Sequence, residues 1–185
     1  MKMHHSFTTS VPRTLLLGLL LGISGQVSAV SSGQTPPALQ GGPWLNTPTK
    51  DGYSLSGLRG QVVLVNFWVF SCINCHNSLP TLSDWYSKYH AQGLEIVGIH
   101  TPEFESDKPL QNVQDALGQD KVIWPVLQDN NRANWQAWNN HYWPAFYLID
   151  RKGVVRSVHT GEISSRYPNA IPGIEANIKA LLAEK

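Results

Sequence analysis

Two residues of this chain combine reactive type with telling spacing, Cys72 and Cys75. They are its only cysteines among 185 residues. They stand two residues apart, straight after a run that reads as a strand and at the start of a helical pattern. The first turn of a helix carries unpaired backbone N–H groups and the positive end of the macrodipole. A thiolate placed there is stabilised, and its pKa falls below the free value of ~8.5. The spacer puts the second sulfur one turn on, within reach of a mixed disulfide formed on the first. Cys72 is therefore expected as the exposed nucleophile and Cys75 as the buried, resolving thiol. Three other uses compete. A structural disulfide across so short a loop adds little stability. A metal half-site wants two further ligands, and there is no second cysteine pair. Two inert buried thiols are the third.

The elements that must position this pair are legible in outline. Residues 62–68, VVLVNFW, are β-branched and aromatic, and read as a buried central strand. A helical pattern follows from Cys72 to about Gln92, with Leu79, Leu82, Trp85, Tyr86 and Tyr89 in step, and Gly93 as its stop. Residues 94–99 form a second buried strand. Residues 106–118 are expected to be helical, and 121–127 to hold a third strand interrupted by Pro125. A short helix is expected over 130–140. Strands at 145–150 and 154–159 are joined by the turn signal Asp150-Arg151-Lys152-Gly153. Residues 170–184 close the chain as an amphipathic helix. The alternation predicts an α/β domain with a mixed sheet and helices on both faces. Trp85, Trp124, Trp135 and Trp138 are expected in its core.

Composition narrows the setting. Hydrophobic residues make up 42%, enough for a real core, which excludes general disorder. Charged residues are 15% and the formal net charge is +1, so nothing calls for a nucleic-acid partner. Lys2, His4, His5 and Arg13 precede the apolar run 15–23, and Val27-Ser28-Ala29 is a cleavage pattern. Residues 1–29 are expected to be a signal peptide, with an uncleaved anchor as the alternative. Residues 30–43, rich in Ser, Gly and Pro, are expected to be a linker, and 44–185 the domain. An exported close cysteine pair sits where thiols and disulfides exchange.

VNFWVFSCINC, with Pro80 five residues on, resembles the active-site strand and helix of thioredoxin-like proteins. GPWLN at 42–46, LRGQVVLVNFW at 58–68, GIHTPEFE at 98–105 and YWPAFYLID at 142–150 resemble the extracytoplasmic TlpA-like thiol-disulfide oxidoreductases, and in particular the thioredoxin-like domain of DipZ-type proteins. The likeness covers about residues 40–182. It implies a thioredoxin-like fold with an extra strand and helix around 106–127, between the cysteine helix and the Pro144 strand. It implies that Trp143-Pro144 is cis, faces the cysteines and binds an extended substrate segment. It implies protein disulfide substrates, a reductive direction, no cofactor and a monomer. DipZ-type proteins carry a membrane electron-transfer domain that this sequence lacks, so a separate membrane redox partner is expected.

Two departures bear on mechanism. Thioredoxins hold an Asp where this chain has Asn66, and many TlpA-like proteins a Glu where it has Ser78. Either acid can take the proton of the buried thiol. Glu103, beyond the end of the second strand, is the candidate proton acceptor instead, against a reading as a solvated loop acid. His100 lies at the same sheet edge; His76 is expected on the surface and His159 in a structural role. A peroxide reductase on this fold wants Thr or Ser at position 69 and Pro at 65, where Val69 and Val65 stand. A copper-binding module through the thiolates with His100 or His159 is the remaining alternative, although no metal site is expected.

Overall fold

The computed structural model describes residues 1, 3, 28–48 and 50–184. The proposed leader falls almost wholly outside the described residues.

Strand β2 (Val62–Trp68) is buried along its full length. It is sandwiched between β3 (Leu94–His100), parallel to it, and β5 (Ala145–Ile149), antiparallel. A strand covered on both faces needs a near-continuous apolar run, which its sequence supplies at every position but Asn66. β4 (Val126–Gln128) extends the sheet beyond β3, and β6 (Val155–Thr160) extends it beyond β5. The strand β1 (Trp44–Leu45) pairs antiparallel with β4, giving the order β1-β4-β3-β2-β5-β6. This is the mixed sheet that the strand pattern called for, in the thioredoxin-like form that the family resemblance implied.

Alternation along β2 divides two cores. Val62, Leu64 and Trp68 face helices α1 (Ile73–Tyr89), α2 (Leu110–Gln119) and α4 (Ala170–Ala183). Val63, Val65 and Phe67 face the short α3 (Ala133–Ala137) and the coil that precedes β2. Helices thus cover both faces, but unequally. In α1, Leu79, Leu82, Trp85 and Tyr89 form the buried stripe. The helix yields to a 3₁₀ turn at His90–Gln92, and Gly93 at φ 101° ends it.

Several boundaries differ from expectation. Pro109 sets the start of α2, so 105–107 is a separate 3₁₀ turn. Residues 121–125 are not strand: Lys121 sits at φ 53° and Pro125 has no N–H to give to a ladder. Only five residues of the expected 130–140 helix are helical, because Arg132 (φ 58°) and Asn139 (φ 46°) bracket them in the left-handed region. Residues 30–43 are laid on the domain rather than looping free of it. Val30 is buried and its N–H meets the Trp138 carbonyl; Gly33 and Gln34 exchange backbone hydrogen bonds with Val155. Serine and glycine permit that course, and the isolated apolar residues Val30 and Leu39 anchor it.

Candidate active site

β2 ends at Trp68, and a tight turn follows in which the Cys72 N–H donates to the Val69 carbonyl at 3.2 Å. Cys72 is the N-cap of α1. Its backbone is extended, and its sulfur accepts the Cys75 N–H at 3.4 Å. A sulfur does here what a serine or aspartate oxygen does at other helix starts. Cys72 is half-buried and Cys75 is 2% exposed. Both are free thiols.

The environments of the two sulfurs differ sharply. The Cys72 thiol is lowered from its ordinary value to about 6. The first cause is the hydrogen bond from the Cys75 thiol; the N–H groups of Cys75 and Asn74 add to it, while partial burial and the charge of Glu103 oppose it. Burial pushes the Cys75 thiol far up, and the Cys72 sulfur and the Glu103 charge push the same way. At neutral pH one group is a thiolate facing outward and the other a protonated donor behind it.

The Trp143–Pro144 peptide is cis, and the Trp143 carbonyl lies 4.0 Å from the Cys72 sulfur. The Pro144 carbonyl accepts the N–H of Gly161 at the end of β6, 2.9 Å away. Trp143 packs against Trp135 with the rings tilted by 31° and their centroids 4.1 Å apart, and the Arg132 guanidinium lies 5.3 Å and 5.6 Å from the Trp143 and Trp135 rings. Trp135, expected in the core, is only partly buried and belongs to this wall. Trp85, Trp124 and Trp138 are buried.

Glu103 lies in the exposed loop after β3, and its charge acts on both thiols. Asn66 and Ser78, where an acid might stand, make structural bonds instead. The Asn66 amide donates to the Ala145 carbonyl at 3.4 Å. The Ser78 hydroxyl donates to the Asn74 carbonyl at 2.8 Å and accepts the Ile163 N–H at 3.0 Å.

The histidines divide. His100 is fully buried at the end of β3, stacked on Phe70 and edge-on to Trp68, and neither ring nitrogen has a partner among the described residues. Burial lowers its pKa to about 4, so it is a neutral aromatic wall at physiological pH. His76 is exposed and pairs with Asp120 at 3.2 Å. His159 stacks on Phe146. Among the described residues no three His, Cys, Asp or Glu side chains cluster to hold a metal ion.

Sequence reasoning missed Ser71, Asp107, Arg132 and the site role of Trp135. Asp107 gathers the hydroxyl of Ser71 and the N–H groups of Glu103 and Phe104 on one oxygen. An Asp three residues after a loop residue is a turn-capping signal, but nothing local announces the reach back to Ser71.

The chain is 40% identical over 153 residues to Protein DipZ of Mycobacterium tuberculosis (strain CDC 1551 / Oshkosh), covering 78% of this chain and 22% of that protein. It therefore spans about a fifth of that relative's length. It is 28% identical to the thiol-disulfide oxidoreductase ResA of Geobacillus thermodenitrificans (strain NG80-2), covering 83% and 88% of the two chains. The crystal structure of a putative thiol:disulfide interchange protein DsbE from Chlorobium tepidum superposes with a TM-score of 0.70 at 26% identity, covering 84% of this chain and all of that one. Residues 42–158 match the AhpC/TSA family model. With the cysteine-capped helix facing a cis-proline across a thioredoxin-like sheet, the chain belongs to the AhpC/TSA family of thioredoxin-like proteins.

Proposed function

We propose that this chain is an extracytoplasmic thiol-disulfide oxidoreductase that reduces disulfides in protein substrates. The observation that carries the reading is the division between the two sulfurs: an accessible, helix-capping Cys72 with its pKa lowered to about 6, and a buried Cys75 held protonated behind it. The relatives named thiol-disulfide oxidoreductase and thiol:disulfide interchange protein support it.

In the reducing direction the Cys72 thiolate attacks one sulfur of a substrate disulfide. The substrate S–S bond breaks, a Cys72–substrate disulfide forms, and the first substrate thiolate leaves. Cys75 then gives its proton to Glu103 and attacks the Cys72 sulfur. The second substrate thiolate leaves and is protonated, and the chain is left with a Cys72–Cys75 disulfide. Two electrons have passed to the substrate. An extended segment beside the substrate cysteine docks along Trp143-Pro144, with the Trp143 carbonyl as backbone acceptor. The exposed apolar side chains of Ile73 and Tyr142 flank it.

The leader-like sequence 1–29 supports export. A monomer that meets a separate membrane electron donor completes the cycle. No helix among the described residues is long and apolar enough to cross a membrane. Peroxide reduction finds no support at the positions where that chemistry needs a hydroxyl and a proline: Val69 and Val65 are both fully buried apolar side chains.

The deciding experiment is the reduction potential of the Cys72–Cys75 pair in glutathione buffers. A value below about −230 mV is expected and fits a reductant recharged by a membrane donor. A value between about −180 and −120 mV reverses the direction to oxidation or isomerisation. Failure to form a reversible disulfide overturns the exchange reading.

A further inference from the structure

Glu103 is exposed, so its position relative to the thiols is only as fixed as the loop that carries it. That loop is fastened by a group outside the cysteine motif. Asp107 is fully buried. Its Oδ2 accepts the Phe104 N–H at 2.8 Å, the Glu103 N–H at 3.0 Å and the Ser71 hydroxyl at 3.0 Å. Two of these bonds shape the loop locally. The third crosses 36 residues to the position immediately before Cys72. Burying a carboxylate is costly, and the three donors converging on Oδ2 offset part of that cost, while Oδ1 is buried with no partner among the described residues. The far end of the loop is held as well: Arg132 donates to the Pro102 carbonyl at 2.6 Å while its guanidinium lies over Trp143.

From this geometry we infer that Asp107 is a positioning residue for the thiol pair. Its single oxygen ties the turn bearing Cys72 to the loop bearing Glu103, and so fixes the backbone from which the Glu103 side chain reaches toward the sulfurs. The inference rests on the reading of Glu103 as proton acceptor. A turn-capping role alone would account for the bonds to Glu103 and Phe104, but not for the bond to Ser71. The Glu103 charge acts on Cys72, the N-cap of α1, and on Cys75 within it; Arg132 meets the same loop at the Pro102 carbonyl, and the Asp107 charge acts on His100 at the end of β3. Glu105 and Lys108 on the same loop pair with each other at 2.5 Å.

The test is the pH dependence of Cys72 alkylation by iodoacetamide in the reduced full chain, with near-UV circular dichroism reporting the fold. Glu103→Gln removes a negative charge that opposes the thiolate. The midpoint should therefore move to lower pH, by roughly half a unit for one charge near the surface. Asp107→Ala should move it the same way, and the double variant should move it no further. Asp107→Asn keeps an acceptor oxygen and should stay with the parent chain. Ser71→Ala removes only the long-range bond and should give a smaller shift in the same direction, which keeps the test open where Asp107→Ala fails to fold. An unmoved midpoint in Glu103→Gln removes the proton-acceptor reading and the inference with it. A shift in Glu103→Gln with none in Asp107→Ala or Ser71→Ala overturns the positioning role alone. So does a double variant whose shift is the sum of the two single ones.

Discussion

Cys72 stands between two walls that are built in different ways. One is the start of α1, where a few consecutive residues supply the nucleophile, its N–H donors and the second thiol. The other is assembled from three distant segments: the 102–107 loop, Arg132 with Trp135, and the Trp143–Pro144 turn. The helical wall depends on the Cys75 thiol one turn on and on backbone N–H groups that a helix start provides. The loop wall depends on side chains reaching across the fold. Chemistry is thus local here, and its adjustment is not. Changes to the first wall should abolish reaction, while changes to the second should alter its rate, pH dependence or affinity.

The largest effect expected is at the cysteines. Cys72→Ser should leave no measurable disulfide exchange and trap no substrate. Cys75→Ser should accumulate a covalent adduct through Cys72, visible on a non-reducing gel and lost on adding dithiothreitol. Equal trapping by both variants would remove the distinction between the sulfurs.

Next comes pH. With Cys72 lowered to about 6, its alkylation rate should rise about tenfold per unit below that value and level off above it. The same group bears on the reduced state's stability. Its folded value lies below the unfolded one, so the stabilisation it brings is fully present above the unfolded value near 9.0 and is lost as pH falls through about 6. The disulfide form lacks this term. The reduction potential should therefore fall by about 59 mV per pH unit below pH 6, where reduction takes up two protons, and by about 30 mV above it, where it takes up one. A slope of about 59 mV throughout the range from 5 to 8 would place the Cys72 pKa above that range.

The smallest effect belongs to the aromatic part of the loop wall. Arg132→Lys keeps the charge but loses the flat guanidinium over Trp143 and Trp135. A stacking term of about 0.5–1 kcal/mol corresponds to a rise of about 2–5-fold in KM for a protein disulfide, with kcat held. A fall in kcat at constant KM would show that the aromatic part of this wall enters the chemical step.

The same contrast explains what could be read from the sequence. The buried run at 62–68, the 3–4 spacing along α1 and the cysteine spacing are local signals, and the structure follows them closely. The thioredoxin-like fold and the facing of Trp143-Pro144 toward the cysteines came from the family likeness rather than from any periodicity. What escaped was set by tertiary contact. Trp135 looked like a core residue because apolar size does not tell that one side of its ring meets Phe67 of the buried strand and the other the half-buried indole of Trp143. Arg132 adopts a left-handed backbone without being glycine, and no neighbouring residue signals it. Asp107 looks like one more acid in a polar loop until Ser71 is brought beside it. Residues 30–43 carry no periodicity because, apart from one turn between Ser31 and Gln34, their hydrogen bonds go to distant segments at Trp138, Val155 and Asn134.

That last segment has a consequence for colloidal behaviour. β6 is the outermost strand of the sheet, and its unpaired backbone groups are a template on which another extended chain can assemble. Gly33 and Gln34 occupy the backbone groups of Val155, and the Ser32 hydroxyl donates to the Arg156 carbonyl. Residues 32–34 therefore blunt the beginning of a sheet border on which an extended segment of another chain would otherwise assemble.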